Sequence, residues 1–251
     1  MSEVIIAAKD IKKTYRRGIF RKHSNEALKG ISLDIMKGEL FGILGPNGAG
    51  KTTFLNIIMG LLSPDSGSLA ISGCNAFRAD ACAMKQKMNM SSGNPNYPWC
   101  LSVKEMLNFY GMLYGMWGRA LDKKTDSLIE MLMLKKYRDT RYDELSTGNK
   151  QRLSIAKALI NDPEILLLDE PTTGMDPNIS IRIREMIKRI HSERGITILL
   201  TTHYMREAEE LCERIAFIKE GKIAALGTKE QIKHDTKARD MEEAFIELAA
   251  D

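Results

Sequence analysis

The residues Gly45-Pro46-Asn47-Gly48-Ala49-Gly50-Lys51-Thr52 have the types and spacing needed to hold phosphate. They fit the pattern G-x-x-x-x-G-K-[ST]. The apolar run Leu40-Phe41-Gly42-Ile43-Leu44 precedes them and Thr53-Phe54-Leu55-Asn56-Ile57-Ile58-Met59 follows, so the stretch reads as strand, tight turn and helix start. Glycines let backbone N–H groups converge on an anion, and the first turn of the helix adds unpaired N–H groups and the positive end of its dipole. Lys51 reaches toward terminal phosphates, and Thr52 offers a hydroxyl to Mg²⁺, which takes hard oxygen ligands and few protein groups.

A second set of residues suits the other half of phosphate chemistry. The buried-strand run Ile165-Leu166-Leu167-Leu168 ends in Asp169-Glu170. Acids at the carboxyl end of a parallel strand lie at the sheet edge where α/β folds bind ligands. Asp169 is thereby suited to hold Mg²⁺ through water, and Glu170 to polarise an attacking water; capping acids before Pro171 are the plainer alternative. Asp176 follows in the turn Thr173-Gly174-Met175-Asp176-Pro177. His203 ends another apolar strand, where it serves either as a donor to the terminal phosphate or as a structural histidine. Leu145-Ser146-Thr147-Gly148-Asn149-Lys150-Gln151-Arg152 precedes a helix expected to begin near Leu153, which makes a further anion-binding end separate in sequence from Lys51.

The elements that position these groups are an α/β alternation. Val4 to Ala8, Ile31 to Ile35 and Ser68 to Gly73 read as strands, the second alternating as a half-exposed antiparallel strand should. From about Ala81 to Tyr142 the texture is helical, with segments Val103 to Tyr114 and Thr125 to Leu134 entered at Ser102 and Asp122. Eight of the fifteen methionines lie between Met84 and Met133, as core filler or as an adaptable docking surface. Arg152 to Leu159, Ile179 to Arg194 and Tyr204 to Cys212 read as helices, and Ile196 to Leu200, Ile215 to Ile218 and Ile223 to Leu226 as strands. Met241 to Ala250 is a closing helix, with no regulatory domain expected beyond it.

With 251 residues, 43% hydrophobic and 28% charged, the chain suits one large domain. No apolar run approaches the roughly 18 residues of a membrane span, and no leader is evident, so a cytosolic location is expected. Cys74, Cys82, Cys100 and Cys212 have no C-x-x-C spacing, against a zinc site or disulfide framework. A net charge of +4 does not announce nucleic acid. Lys12, Lys13, Arg16, Arg17, Arg21 and Lys22 nevertheless crowd one segment, as a solvated hairpin or as a contact for anionic lipid or a partner. Asn94-Pro95-Asn96-Tyr97-Pro98-Trp99-Cys100-Leu101 reads as a surface loop displaying Tyr97 and Trp99, unless Trp99 folds back into the core.

In this order the phosphate loop, the Ser146 loop, Asp169-Glu170, the Asp176 turn and Thr202-His203 resemble the nucleotide-binding subunit of ATP-binding cassette transporters, over nearly the whole chain. The resemblance implies a P-loop NTPase core with an antiparallel β subdomain, from about 1–80 and 152–251, and an inserted α-helical subdomain at about 81–151. It implies ATP and Mg²⁺ bound by Gly45 to Thr53, with Thr52 and Asp169 toward the metal and Glu170 and His203 catalytic. It further implies a head-to-tail pair of such subunits, in which Ser146 and Gly148 of one chain contact the phosphates held by the other and Asp176 links the two sites. Tyr15 matches the aromatic residue on which adenine stacks, though a strand-end tyrosine packing in the small sheet fits equally.

Two departures stand out. Thr147 and Asn149 replace the third and fifth residues of the usual L-S-G-G-Q, and the usual Mg²⁺-binding glutamine has its place near Gly93, Gln86 lying too early. Both look most like the ATPases of drug, sodium or polysaccharide exporters. The expected function is an ATPase peripheral on the inner face of the membrane, driving a separate permease subunit. An importer's ATPase, a cytosolic mechanical ATPase and a binding-only regulator are the alternatives. Long coiled coils or a second cassette would mark the mechanical forms and are absent, and Glu170 and His203 argue against the regulator.

Overall fold

The computed structural model describes residues 3–17, 23–78, 82–92 and 97–250. The glutamine position at Gly93, residues 94–96 of the aromatic loop, and Arg21 and Lys22 of the basic segment lie outside the described residues. In chain order the elements are β1 (Val4–Arg17), β2 (His23–Met36), β3 (Leu40–Leu44), α1 (Lys51–Ile58), β4 (Ser66–Ile71), β5 (Cys74–Asn75), α2 (Cys82–Lys85) and β6 (Met88–Ser91). Next come α3 (Val103–Leu113), α4 (Gly118–Met131), a 3-10 turn at Lys135–Tyr137, α5 (Thr147–Ala158), β7 (Ile165–Asp169) and α6 (Pro177–Arg194). The chain ends through β8 (Thr197–Thr202), α7 (Met205–Leu211), β9 (Arg214–Lys219), β10 (Lys222–Thr228), α8 (Lys229–Thr236) and α9 (Met241–Ala250).

One compact unit comprises Met1–Lys85 and Thr197–Asp251. Its antiparallel sheet has the order β2-β1-β4-β5. The alternation in Ile31 to Ile35 is observed as expected, with Ile31, Leu33 and Ile35 buried and Ser32 and Asp34 exposed. β3 pairs in parallel with both β8 and β9, and β10 closes on β9 in antiparallel fashion. All residues of β3 and of β8 are buried, which is why both read as continuous apolar runs with little alternation. Phe41, Phe54 and Phe217 are among the largest fully buried side chains of this unit. Each contributes about 1.5–3 kcal/mol relative to exposure. Phe54 belongs to α1, so the helix leaving the phosphate loop is anchored by its own apolar face.

The second unit is Gln86–Ile196. β6 and β7 pair in parallel with Met88 opposite Ile165, and α3, α4, α5 and α6 complete the unit. At the start of α3 the Ser102 hydroxyl accepts from the Glu105 N–H and the Glu105 carboxylate accepts from the Ser102 N–H, a reciprocal cap that fixes this boundary.

Several boundaries differ from the sequence reading. β6 lies inside the stretch read as helical: its Met-Asn-Met-Ser pattern carries no β-branched residue, and pairing with β7 alone makes it a strand. α4 begins at Gly118 after Trp117, ahead of the expected Asp122. α5 begins at Thr147, well before Leu153, because Ser146 adopts the extended cap conformation and the small residues after it tolerate helix. α8 was not anticipated, although Thr228 and Gln231 form a capping box at its start. Of the methionines, Met88 and Met106 are core, whereas Met133 is exposed.

Candidate nucleotide site

The phosphate loop leaves the centre of a parallel ladder, since Leu44 pairs with Thr202 on one side and Phe217 on the other. The Gly45 N–H donates to the Thr202 carbonyl at 3.3 Å, so the loop's first residue is tied to the residue before His203. Pro46, Asn47 and Gly48 are exposed at the tip while Ala49 is buried. Gly50 caps α1 at φ 108°, a conformation costly to any L side chain, and a Cβ there would also lie 2.5 Å from the Ala27 carbonyl oxygen. The Lys51 ammonium donates to the carbonyls of Gly45 at 2.9 Å and Pro46 at 3.1 Å, arching its stem across the loop.

A backbone relay joins this loop to the antiparallel sheet. The Lys29 N–H donates to the Gly221 carbonyl at 2.7 Å, and the Gly221 N–H donates to the Ala49 carbonyl at 3.0 Å. The turn between β9 and β10 is therefore a strut between β2 and the loop. On the same sheet, the Tyr15 hydroxyl lies 3.4 Å from the Thr53 hydroxyl, the second residue after the loop lysine. Tyr15 keeps 43% of its surface exposed, so its ring remains open to a planar ligand. The strand end that carries it is pinned by Asp65, which accepts from the Thr14 N–H at 2.6 Å and from Lys13 at 3.0 Å. The Thr14 hydrogen bond, then that of Lys13, hold the Asp65 carboxyl below its ordinary range. Lys13 with Asp65, and Lys12 with Asp10, also show that part of the basic segment is paired. The His203 and Tyr204 rings meet at a 40° tilt with centroids 4.1 Å apart, and the Thr202 hydroxyl accepts from the Tyr204 N–H at 3.0 Å.

In the second unit β7 delivers Asp169, which is buried, and the chain then turns sharply. Glu170 sits at φ 48°, in the left-handed region that a non-glycine residue enters at a cost of about 1–3 kcal/mol. Its carboxylate accepts from the Thr173 hydroxyl at 3.0 Å. Asp176 stands at the N-cap of α6 ahead of Pro177, is exposed, and makes no side-chain cap bond. Ser146 stands at the N-cap of α5, exposed and likewise without a side-chain cap bond. Gly148, by contrast, is buried, and a Cβ there would come within 2.8 Å of the Ile179 methyl group. The close approach of α6 thus supplies a packing reason for glycine at this position, alongside any role toward phosphate. Asn149 is buried rather than displayed.

The expected pair of displayed aromatics divides. Trp99 is 66% exposed, but Tyr97 turns inward, edge-on to Tyr110 at 5.7 Å and Tyr142 at 5.5 Å. The Tyr97 hydroxyl is 3.2 Å from that of Ser154, and burial pushes its phenol well up. Tyrosine tolerates this because its hydroxyl finds a partner. Among the described residues no group of His, Cys, Asp and Glu is clustered to hold a metal on its own, and no helix is long and apolar enough to cross a membrane.

A family model described as ABC transporter matches residues 28–173. The chain belongs to the ABC transporter family. The Nod factor export ATP-binding protein I of Burkholderia lata is 40% identical over 200 residues, covering 80% of this chain and 65% of that protein. The linearmycin resistance ATP-binding protein LnrL of Bacillus subtilis is 37% identical over 225 residues, covering 90% and 70%. The probable multidrug ABC transporter ATP-binding protein YbhF of Escherichia coli is 38% identical over 262 residues, covering 99% of this chain and 42% of that protein. The chain thus spans less than two thirds of the length of the first and last of these relatives. A dimeric structure of MJ0796, described as a bacterial ABC transporter cassette, matches with a TM-score of 0.80 at 29% identity, over 89% of this chain and 98% of that one. The structure of cbiO1 from Clostridium perfringens, part of the ABC transporter complex cbiONQ, matches with a TM-score of 0.79 at 27% identity over 98% and 99%. The α/β fold is that of the ABC ATPases, and membership implies ATP binding and hydrolysis.

Proposed function

We propose that this ABC ATPase domain is the energy-supplying subunit of an exporter: it binds ATP with Mg²⁺, closes with a second copy or a paired subunit, hydrolyses ATP, and drives a separate membrane-spanning permease. The observation that carries the reading is the junction of Tyr15 with Thr53, which joins an open aromatic ring to the N–H-rich loop and so offers one ligand both a planar face and an anion cradle. In this reading Gly45 to Thr53 hold the phosphates, with Lys51 leaving the carbonyls of Gly45 and Pro46 for them. Thr52 and Asp169 offer Mg²⁺ a hydroxyl and a carboxylate, the hard oxygen donors it prefers. Bound there, Mg²⁺ would neutralise charge on the phosphates. Glu170 orients the attacking water, and His203 donates to the terminal phosphate.

Ser146 and Gly148 of one chain face the phosphates held by its counterpart, and Asp176 links the two sites. The hydroxyl of Ser146 and the carboxylate of Asp176, neither spent on capping its own helix, support a task outside the chain. A transporter family implies a permease partner, hence work at the cytoplasmic face of the membrane, and the export and resistance names of the relatives favour export over import.

Glu170→Gln tests the catalytic assignment, because it keeps the shape of the side chain and removes the charge that orients water. The variant is expected to bind ATP, hydrolyse it at least about 100-fold more slowly, and run as a dimer in size-exclusion chromatography with ATP and Mg²⁺ while the wild type runs mostly as monomer. Hydrolysis at the wild-type rate overturns the role of Glu170. A variant that stays monomeric overturns the ATP-closed pair.

A further inference from the structure

The interior of the second unit contains a stripe of polar groups where apolar packing is the rule. On α5, Ser154 and Lys157 are three apart, and Asn161 follows four residues later just beyond the helix, so the three share one face. All three are bonded to β6 or to the chain entering it. The Ser154 hydroxyl lies 2.8 Å from that of Ser91. The Lys157 ammonium donates to the Met90 carbonyl at 3.0 Å and to the Asn89 side-chain oxygen at 3.3 Å. The Asn161 amide donates to the carbonyls of Gln86 at 2.7 Å and Met88 at 3.2 Å, and its oxygen accepts from the Asn89 amide at 2.8 Å.

Lys157 is the costly member. Its side chain is largely but not wholly removed from solvent, its ammonium lies 5.5 Å from the centre of the Tyr110 ring, and it has no carboxylate paired with it among the described residues. Among the described residues, two carbonyl-type oxygens and an aromatic face offset its lost hydration. Replacing a buried charge with an apolar side chain is often neutral or stabilising, so stability alone does not account for it. Hydrogen bonds do what methyl contacts cannot: they specify one register, whereas an apolar helix face can slide along a strand.

We propose that this stripe, with Lys157 at its centre, is a positioning device for ATP turnover: it sets where α5 stands along β6, and hence where Ser146 and Gly148 at the other end of the helix are presented. The inference rests on the functional reading of Ser146 and Gly148 given above. It assigns Lys157 no contact with nucleotide. Its effect passes through the helix it holds.

The charge of Lys157 supplies a readout. Burial lowers its pKa from the ordinary 10.5 to about 8. The other titratable groups facing it are Tyr110 on α3 and, across Ser154, Tyr97; burial pushes both phenols up, so they stay neutral while Lys157 loses its proton. β6, Met-Asn-Met-Ser, carries no titratable side chain.

The experiment compares the full chain with Lys157→Met and Lys157→Arg, measuring steady-state hydrolysis of MgATP from pH 6.5 to 9.5 and binding of a fluorescent ATP analogue. Lys157→Met is expected to lower kcat about tenfold at pH 7 and leave ATP affinity within about twofold, the pattern of an interaction that acts on turnover rather than ground-state binding. Wild-type kcat should fall as pH rises through about 8. Lys157→Arg, which keeps its charge, should hold most of the wild-type kcat at pH 7 and lack that alkaline limb. A wild-type kcat in Lys157→Met, or the same alkaline limb in wild type and Lys157→Arg, overturns the proposal. If Lys157→Met fails to fold, the wild-type and arginine pH profiles still decide. A wild-type chain that binds no ATP analogue would instead refute the nucleotide-site reading, leaving these profiles unmeasured for a different reason.

Discussion

Two loop glycines, substituted alike, should fail differently. At Gly45 a Cβ would stand 2.1 Å from the carbonyl oxygen of Ile218. Contacts of that kind need more than 3 Å, so one of the two backbones must retreat by about 1 Å, and neither moves easily in a close-packed interior. Gly45 follows directly on β3, whose last residue is held by both β8 and β9, and Ile218 is itself within β9. The strain should cost about 1–3 kcal/mol, and a 1 Å displacement of a phosphate-binding segment is enough to lose about 100-fold in function. At Gly48 a Cβ would meet nothing within 4 Å, but φ is 82°. Only the conformational penalty applies there, about 1–2 kcal/mol. Gly45→Ala is therefore expected to weaken binding of a fluorescent ATP analogue by at least about tenfold and to lower the melting temperature by roughly 3–10 °C. Gly48→Ala should lower the melting temperature by only about 2–6 °C, with affinity falling less than in Gly45→Ala. Equal affinities in the two variants would refute the argument that steric conflict with β9 governs the shape of the loop.

Three further outcomes follow from the same geometry. Lys51→Ala should abolish tight binding of the ATP analogue, since the backbone cradle cannot by itself neutralise the terminal phosphates; unchanged affinity in equilibrium titration would contradict the phosphate-loop assignment. Tyr97→Ala should lower the melting temperature by several degrees, as loss of a partly buried aromatic does, whereas Trp99→Ala should leave it within about 1 °C and reduce recovery with the membrane permease in a pull-down; the reverse pattern would show Trp99 as core. For pH, Lys157 binds a proton up to about 8 in the folded chain and up to its ordinary 10.5 when unfolded. The unfolded chain therefore holds more protons between these values, and this group's contribution to stability rises with pH across that window. Chemical denaturation should show wild type gaining on Lys157→Met from pH 8 to 10; a gap that widens against wild type would contradict the buried ammonium.

The legible parts of this chain are those whose causes are local. The phosphate loop is specified by glycines and a lysine within a few residues, and β3, β7 and β8 by runs of apolar residues that need no partner to be recognised. The start of α3 was readable because Ser102 and Glu105 satisfy each other within one turn. What escaped has its cause far along the chain. β6 is a strand because β7 lies beside it, 77 residues on at the Met88–Ile165 pair. Tyr97 is turned inward by Tyr110, Tyr142 and Ser154, none of which its own loop announces. Lys157 did leave a trace, as a single cation inside the apolar run Leu153-Ser154-Ile155-Ala156-Lys157-Ala158-Leu159-Ile160, but a lone lysine there is equally a surface residue on an amphipathic helix until the strand it faces is known.

The same distinction explains why the loop motif is insufficient to make the site. Its cradle depends on backbone atoms of three other segments: the Ala27 carbonyl against Gly50, the Ile218 carbonyl against Gly45, and Gly221 bonded to Ala49. Lys29, two residues after Ala27 on β2, donates to the Gly221 carbonyl, and the sheet that carries Ala27 and Lys29 also carries Tyr15. A ligand gripped by both Tyr15 and the loop would thus be held by one hydrogen-bonded frame, so its two ends cannot drift independently. Precise placement of this kind is where rate is gained when there is little covalent chemistry for side chains to perform. Since these three segments meet the loop through backbone carbonyls and an N–H, sensitivity to substitution should concentrate at the glycines that the Ala27 and Ile218 carbonyls face.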